Sequence, residues 1–316
     1  MLAGGAFGGI SWWYDAVGKP GPLAEPRAIL VPHGSTAQLA ETLISDGVVD
    51  RPLLFRAFAW MTRGDGTLRA AEFSFPAHAS IRQVVAILRT GRPVEHHLTI
   101  AEGLTAQQIT ALLSHADVMT GEVPALDEGA LLPQTYDYEY GAERSSIVAR
   151  ARAAMDKALA MEWAGRDSGL PLNTARDAVI LASIVERETA RPEERPHVAS
   201  VYLNRLRLGM RLQADPTVVY SASNGAGVLD RQLTRTDLAR DDPFNTYRSA
   251  GLPPAPICSP GEDSLHAVLH PAGSDDLYFV ADGTGGHVFS RTYEAHDLAV
   301  TRWRALVPSP RRGSSD

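Results

Sequence analysis

Two carboxylates close an apolar stretch near the middle of the chain. Residues 178–185 are almost entirely apolar, and Glu186 and Glu188 follow directly. Thr174 and Asp177 have the spacing of a capping box, so the pattern predicts a helix that is buried on nearly all sides and ends at the glutamates. A carboxyl in apolar surroundings keeps its proton to higher pH, which general acid catalysis at neutral pH requires.

The helical positions of the two glutamates differ. At about 100° per residue, Glu186 lies over two small side chains, whereas Glu188 points among bulky aliphatic ones. Because small neighbours leave room for a ligand, the pattern favours Glu186 as the carboxyl at the floor of a groove and Glu188 as a structural residue. The alternative for Glu186 is a salt bridge with a basic residue such as Arg205 or Arg207 that only ties helices together.

Polar residues that could bind sugar hydroxyls and acetamides follow the glutamates. A second helix is predicted from Pro196 to about residue 206, with Gly209 as its stop. The sequence Asp215-Pro216 forces an extended or turned backbone, which puts Gln213 and Asp215 on a loop that can fold back over the glutamate helix. We expect Gln213, Asp215 and Asn245 to approach Glu186. The candidate substrate-binding residues are Asn204, Gln213, Asp215, Asn245 and Tyr247.

Long segments of the chain resemble one known family. The most specific are LASIVERE at 181–188, VASVYLNRLRLGM at 198–210 and LQADPTV at 212–218. Together with residues 245–261 and 277–290, they resemble the YceG-like family of endolytic murein transglycosylases. The resemblance runs from about Ile29 to Leu306.

The resemblance implies an enzyme that cuts nascent peptidoglycan. Such enzymes cleave the β-1,4 bond between N-acetylmuramic acid and N-acetylglucosamine, leave 1,6-anhydro ends and terminate strand elongation. The resemblance assigns the catalytic role to the first glutamate of the pair, Glu186, acting as acid and then as base. It implies no metal and no cofactor, and one carboxyl suffices, whereas most glycosidases use two.

The resemblance also implies a location and partners. The family is expected at the bacterial inner membrane with a single anchor, a catalytic domain in the periplasm and peptidoglycan synthases as partners. Residues 2–14 are apolar or small and end in an aromatic triplet, which suggests part of a membrane anchor, although a frayed leader is the alternative. The Pro- and Gly-rich linker at 19–26 follows.

Composition excludes several classes of protein. The chain has 316 residues, a net charge of −7 and no basic run, so nucleic-acid binding is not expected. The single cysteine, Cys258, excludes a disulfide framework and a cysteine-based zinc site. With 44% hydrophobic residues, the chain has enough apolar side chains for a folded core.

The first third of the chain repeats a short strand, a turn and an amphipathic helix three times. Ser35, Ser80 and Thr105 stand where the helix N-caps belong. Such units occur in LysM-type carbohydrate-binding modules, but an ordinary α+β domain can be built in the same way.

The predicted fold is therefore α+β, with LysM-like strand–helix repeats, a catalytic domain around a buried helix, and a C-terminal β-hairpin formed by residues 277–281 and 287–290. The predicted segments are an anchor stub with linker at 1–26, a LysM-like domain at 27–122, a catalytic domain at 123–307 and a disordered tail at 308–316.

Two alternatives remain open from the sequence. One is a non-catalytic peptidoglycan-binding scaffold of the cell-wall synthesis complex. The other is a hydrolase that uses Glu186 with Asp215 as its partner. His287 and His296 could orient a carboxyl or a substrate, although single histidines are more often surface or packing residues.

Overall fold

The computed structural model describes residues 12–306, and the chain divides into two compact units. Within the described residues, the N-terminal unit comprises residues 12–98, Val118–Thr120 and Asp137–Ala142, and the C-terminal unit comprises Thr99–Asp117, Gly121–Tyr136 and residues 143–306. Both contain helices and small antiparallel sheets, which agrees with the predicted α+β class. The LysM-like character of the first unit stays a prediction.

The N-terminal unit begins with a helical segment at residues 12–18. Its further elements are β1 (Arg27–Val31), α1 (Thr36–Ser45), α2 (Pro52–Met61), β2 (Ala71–Phe75) and α3 (Ile81–Thr90). Strand β3 (Glu95–Thr99) follows and pairs with β4 (Thr135–Glu139).

Strands β1 and β2 pair in antiparallel register, with Ile29 opposite Phe73. Alternate residues of both strands point into the core, as period-2 patterning requires. Ser35 and Ser80 cap α1 and α3 through capping boxes at the predicted positions. Helix α2 was not predicted, and it places two helices between the first two strands.

The C-terminal unit is mostly helical. Its elements are α4 (Ala106–Ser114), α5 (Arg144–Gly165), α6 (Ala175–Glu188), α7 (Arg195–Arg207), α8 (Asp215–Ala222), α9 (Arg235–Ala239), α10 (Glu262–Leu269), β5 (Tyr278–Ala281), β6 (His287–Ser290) and α11 (Tyr293–Leu306). Helix α6 lies in the core, with every residue from 178 to 185 buried, and α7 and α10 pack against it. The Thr174 capping box and the β5–β6 hairpin were both predicted.

Two local predictions differ from the structure. Asp215 is the first residue of α8, so the turn before it is made by Gln213 and Ala214. The sequence Ser259-Pro260-Gly261-Glu262 has the form of a capping box and predicts a cap at Ser259, but α10 begins after Gly261 without a side-chain cap. Ser259 instead forms backbone hydrogen bonds with Gly103 and Leu104, which hold it outside the helix.

The apolar N-terminal segment is described only from residue 12. Val17 is fully buried in the core of the N-terminal unit, and Trp13 packs against that core. Trp12 and Tyr14 are exposed. None of the helices within residues 12–306 is long and apolar enough to cross a membrane. The start of the predicted anchor stub and the predicted tail at 308–316 lie outside the described residues.

Candidate active site

Glu186 forms a buried ion pair with Arg195. Its side chain is 6% exposed, and its Oε1 accepts a hydrogen bond of 3.2 Å from Nη2 of Arg195. Its Oε2 accepts a hydrogen bond of 3.0 Å from the backbone N–H of Gly261. Arg195 also forms ion pairs with Glu102 at 3.4 Å and with Asp263 at 3.3 Å. Both oxygens of Glu186 are therefore engaged by protein donors.

This arrangement resembles the salt-bridge alternative for Glu186, but with a different partner. The base is Arg195 at the start of α7, whereas Arg205 and Arg207 were the partners suggested by the sequence. A carboxyl whose two oxygens accept protein hydrogen bonds has to exchange a partner before it can donate to a glycosidic oxygen. The catalytic role of Glu186 stays a prediction.

Glu188 faces a polar cavity of about 210 Å³ at the end of α6. The lining residues come from α6, α7, the turn before α8, the segment around residue 247 and the hairpin: they are Glu188, Tyr202, Arg205, Leu212, Gln213, Asp215, Tyr247, Phe279, Val280, Ala281 and His287. Three of the five predicted binding residues, Gln213, Asp215 and Tyr247, are thus gathered around Glu188.

The environment of Glu188 suits a proton donor. Burial raises the pKa of its carboxyl to about 7, and the negative charge of Asp215 acts in the same direction. A hydrogen bond with Tyr202 and the charge of Arg205 oppose the rise in pKa. The Oε2 atom is buried and has no hydrogen-bond partner among the described residues. An acid with a pKa near 7 is matched to general acid catalysis at neutral pH.

The sequence assigned Glu188 a structural role because the helical positions placed it among bulky side chains. Glu188 is the last residue of α6, however, so no further turn of that helix covers it. Its surroundings come from residues 14 or more positions away, such as Tyr202 and Arg205. Its position at the helix end was the signal in the sequence that could have predicted these surroundings.

The backbone and side chains around the cavity hold Gln213 and Asp215 in place. Gln213 has a φ of 53°, which is unusual for a residue other than glycine and is often associated with function. Its N–H donates to the carbonyl oxygen of Thr246, and its Oε1 accepts a hydrogen bond of 3.4 Å from Arg205. The Tyr247 hydroxyl donates to Oδ1 of Asp215 at 2.6 Å.

The two predicted asparagines support the site from outside the cavity. Asn245 is fully buried, and its amide donates to three carbonyl oxygens in residues 237–240. Its Oδ1 accepts a hydrogen bond from the backbone N–H of Tyr247. Asn204 donates to two carbonyl oxygens in residues 274–276, just before β5. These contacts position the cavity wall and leave both amides occupied.

His287 lines the cavity and forms a hydrogen bond with Glu194, with 2.7 Å between Nδ1 and Oε2. Burial alone would raise the pKa of Glu194, but hydrogen bonds from the side chain and backbone of His287 lower it. His287 therefore orients a carboxyl, although not one of the two glutamates of α6. Burial lowers the pKa of His296, which packs against Tyr278.

The raised pKa of Glu188 predicts a pH-dependent change in stability. The folded chain binds this proton more tightly than the unfolded chain, whose glutamate has a pKa of 4.5, so this contribution to stability is complete below pH 4.5 and is lost as the pH rises through 7. Glu188→Gln should therefore raise the free energy of unfolding at pH 8, by up to about 3 kcal/mol, and change it little at pH 4. Urea unfolding at both pH values measures the difference, and an equal effect at both would contradict it.

The fold and the site define an α+β protein in which a buried helix presents an acidic side chain to a polar cavity. Residues 29–302 match the model of the YceG-like family. The match covers most of the chain, and the chain belongs to the YceG-like family.

Curated relatives of the chain carry one name. A protein of Streptococcus pneumoniae strain R6 named "Endolytic murein transglycosylase" is 28% identical over 349 residues, which covers 95% of this chain and 62% of the relative. A protein of Bacillus subtilis strain 168 with the same name is 42% identical over 123 residues, or 39% of this chain and 33% of the relative. The chain thus spans less than two thirds of the length of these relatives.

A solved structure shares the fold. A crystal structure of a yceG-like protein from Listeria monocytogenes aligns with a TM-score of 0.54 and 28% sequence identity. The alignment covers 87% of this chain and 99% of the Listeria chain.

Proposed function

We propose that the C-terminal unit is an endolytic murein transglycosylase with Glu188 as its catalytic acid. The observation that carries this proposal is the position of Glu188, whose pKa is raised to about 7, in a polar cavity of a YceG-like chain. The names of the S. pneumoniae and B. subtilis relatives support the choice of murein as substrate.

The reaction requires one carboxyl that changes role. Protonated Glu188 gives its proton to the oxygen of the β-1,4 bond between N-acetylmuramic acid and N-acetylglucosamine, and the bond from C1 to that oxygen breaks. The resulting Glu188 carboxylate then takes the proton of the 6-hydroxyl of the muramic acid while that oxygen bonds to C1. The product is a 1,6-anhydro end, no water is consumed, and Glu188 is protonated again. Cutting within nascent strands would terminate their elongation.

The other cavity residues have supporting roles in this proposal. Asp215 supplies negative charge near the sugar ring, where positive charge develops in an oxocarbenium-like transition state. Tyr247 holds Asp215 through the hydrogen bond at 2.6 Å. Gln213 offers an amide to sugar hydroxyls and acetamides. Glu186, which the resemblance designates, stays the alternative acid, and its ion pair with Arg195 fixes the start of α7.

The products distinguish the proposal from both alternatives. Purified glycan strands are digested in water enriched in ¹⁸O and analysed by mass spectrometry after borohydride reduction. A lytic transglycosylase yields 1,6-anhydro ends that carry no ¹⁸O and resist reduction. A hydrolase that uses Asp215 as second carboxylate yields reducible ends that carry ¹⁸O, and a non-catalytic scaffold yields no new ends. Either of the last two results would contradict the proposal.

A second role is proposed for the N-terminal unit, which is glycan binding. It contains a cavity of about 770 Å³ whose lining includes Arg56, Trp60, Arg63 and Arg89. Trp60 is 65% exposed, and the Arg63 guanidinium lies 4.4 Å from its ring centroid. An exposed indole beside arginines offers an apolar face for a sugar ring and charges for acidic groups on the strand.

Trp60→Ala should weaken the binding of glycan strands by about tenfold or more, because an exposed tryptophan at an interface often contributes over 1 kcal/mol. The neighbouring Met61, which is 57% exposed and does not line the cavity, provides the control Met61→Ala. Pull-down on insoluble peptidoglycan measures both variants. If both variants lose the same amount of binding, or if Trp60→Ala loses none, the proposed glycan-binding role is contradicted.

The location and partners are likewise proposed from the family. We propose that the enzyme acts from the inner membrane, where peptidoglycan synthases release nascent strands, with its catalytic unit in the periplasm. Fractionation of the native protein tests the location, and cross-linking in cells tests the partners. Recovery in the cytosolic fraction would contradict this placement.

A further inference from the structure

Three side chains with metal-binding atoms converge on the surface of the C-terminal unit, and none of them lines the catalytic cavity. Glu162 lies near the end of α5, His266 lies in α10, and His270 is the residue that follows α10. Their ligand atoms all lie within 4.8 Å of one another. Within residues 12–306, no other group of three histidine, cysteine or acidic side chains has ligand atoms this close together.

The separations fit a tetrahedral ion. Oε2 of Glu162 lies 3.0 Å from Nδ1 of His266 and 3.8 Å from Nε2 of His270. Zn²⁺ binds nitrogen and oxygen ligands at about 2.0–2.2 Å, which places two ligand atoms of a tetrahedron about 3.3–3.6 Å apart. The two observed separations bracket this range, so small side-chain rotations suffice to seat the ion. The histidines stand four residues apart, and their ring centroids lie 4.5 Å from each other.

A second carboxylate prepares His270 for metal binding. Nδ1 of His270 lies 3.0 Å from Oδ1 of Asp167, and the backbone N–H of Asp167 donates to the carbonyl oxygen of Leu269. When Nδ1 carries the proton and donates it to Asp167, Nε2 keeps a lone pair directed toward Glu162. A histidine oriented by a carboxylate in this way is the usual arrangement behind a zinc ligand.

The charge and exposure of the group favour a divalent cation. Glu162 and Asp167 place two carboxyl groups beside the two imidazoles. The nearby cation of Arg166 lies over the ring of Trp163, 4.0 Å from its centroid, and donates to the carbonyl oxygen of Trp163. The side chain of His266 is 60% exposed, which leaves an open side for a water as fourth ligand.

We propose that Glu162, His266 and His270 form a Zn²⁺ site, with Asp167 as the residue that positions His270. Two imidazoles and a carboxylate are a donor set that suits zinc. The ion would join the end of α5 to α10, the helix that packs directly against α6. Its role is to stabilise the C-terminal unit, and it takes no part in the proton transfers at Glu188.

The test uses the full chain without a histidine tag, stripped of metal by a chelator. Titration with Co²⁺ should give visible absorption bands typical of tetrahedral coordination that saturate at one ion per chain, and Zn²⁺ should displace them. His266→Gln and His270→Gln should abolish the bands, and Asp167→Asn should weaken affinity by about 10–100-fold. His115→Gln, an exposed histidine just after α4, is the control and should bind as the unaltered chain does.

Zn²⁺ should also raise the thermal midpoint by several degrees in the unaltered chain and in His115→Gln, but not in His266→Gln. Absence of saturable binding, or equal binding by the histidine variants and the unaltered chain, would overturn the site. Because binding is measured without glycan, the result is independent of whether Glu188 is the catalytic acid. His266 is largely exposed, so its variant is expected to fold, and its circular dichroism checks this.

Discussion

Glu188→Gln should slow the cleavage of glycan strands by about 10²–10⁴-fold while the fold is retained, because glutamine keeps the shape of the side chain but cannot deliver a proton. The buried Oε2 without a described partner and the pKa of about 7 both point to this residue as the proton donor. The measurement is the initial rate of formation of new glycan ends by purified protein. Circular dichroism and thermal unfolding confirm that the variant is folded.

Glu186→Gln is the matched control, since it makes the same change two residues earlier in the same helix. It should retain most of the turnover and lose stability instead, because the substituted amide still accepts hydrogen bonds but no longer neutralises Arg195. The opposite outcome, with cleavage lost in Glu186→Gln and kept in Glu188→Gln, would establish Glu186 as the acid that the family resemblance designated. If both variants lose cleavage, the dependence of the cleavage rate on pH identifies the acid. The pKa of the acid alone determines the pH range in which activity falls as the pH rises.

Arg195→Met should lower the free energy of unfolding by about 3–5 kcal/mol, which is the usual cost of leaving a buried charge without its partner. The side chain of Arg195 is 8% exposed and that of Glu186 is 6% exposed, so water cannot replace the lost ion pair. Urea unfolding at neutral pH measures the change. The control is Arg231→Met, which removes a surface pair with Asp237 and should change the free energy of unfolding far less.

The double variant Glu186→Gln/Arg195→Met tests the cause of that loss. Removing the negative charge as well should recover a large part of the stability, because the penalty comes from the unpaired carboxylate rather than from the missing guanidinium. A double variant no more stable than Arg195→Met would show that Arg195 acts through packing or through Glu102 and Asp263. A loss below 1 kcal/mol in Arg195→Met would contradict the prediction itself.

The local features of this protein follow from short stretches of its sequence. Capping boxes at Ser35, Ser80, Thr105 and Thr174 depend on residues three positions apart, and all four are present. The buried helix before the glutamates and the C-terminal hairpin follow from hydrophobic periods of a few residues. The similarity of several long segments to the YceG-like family identified the family, and the match of residues 29–302 to the family model confirms this prediction.

The contacts of the two glutamates depend on how distant segments pack together. Glu186 meets the backbone N–H of Gly261, 75 positions away, whereas Glu188 faces residues of α7, the turn before α8 and the hairpin. The Glu162 and His266 pair likewise joins residues 104 positions apart. The helical period fixes the direction in which each side chain leaves its helix. The pKa and the hydrogen bonds of that side chain depend on distant segments, whose placement results from packing the whole unit around one core.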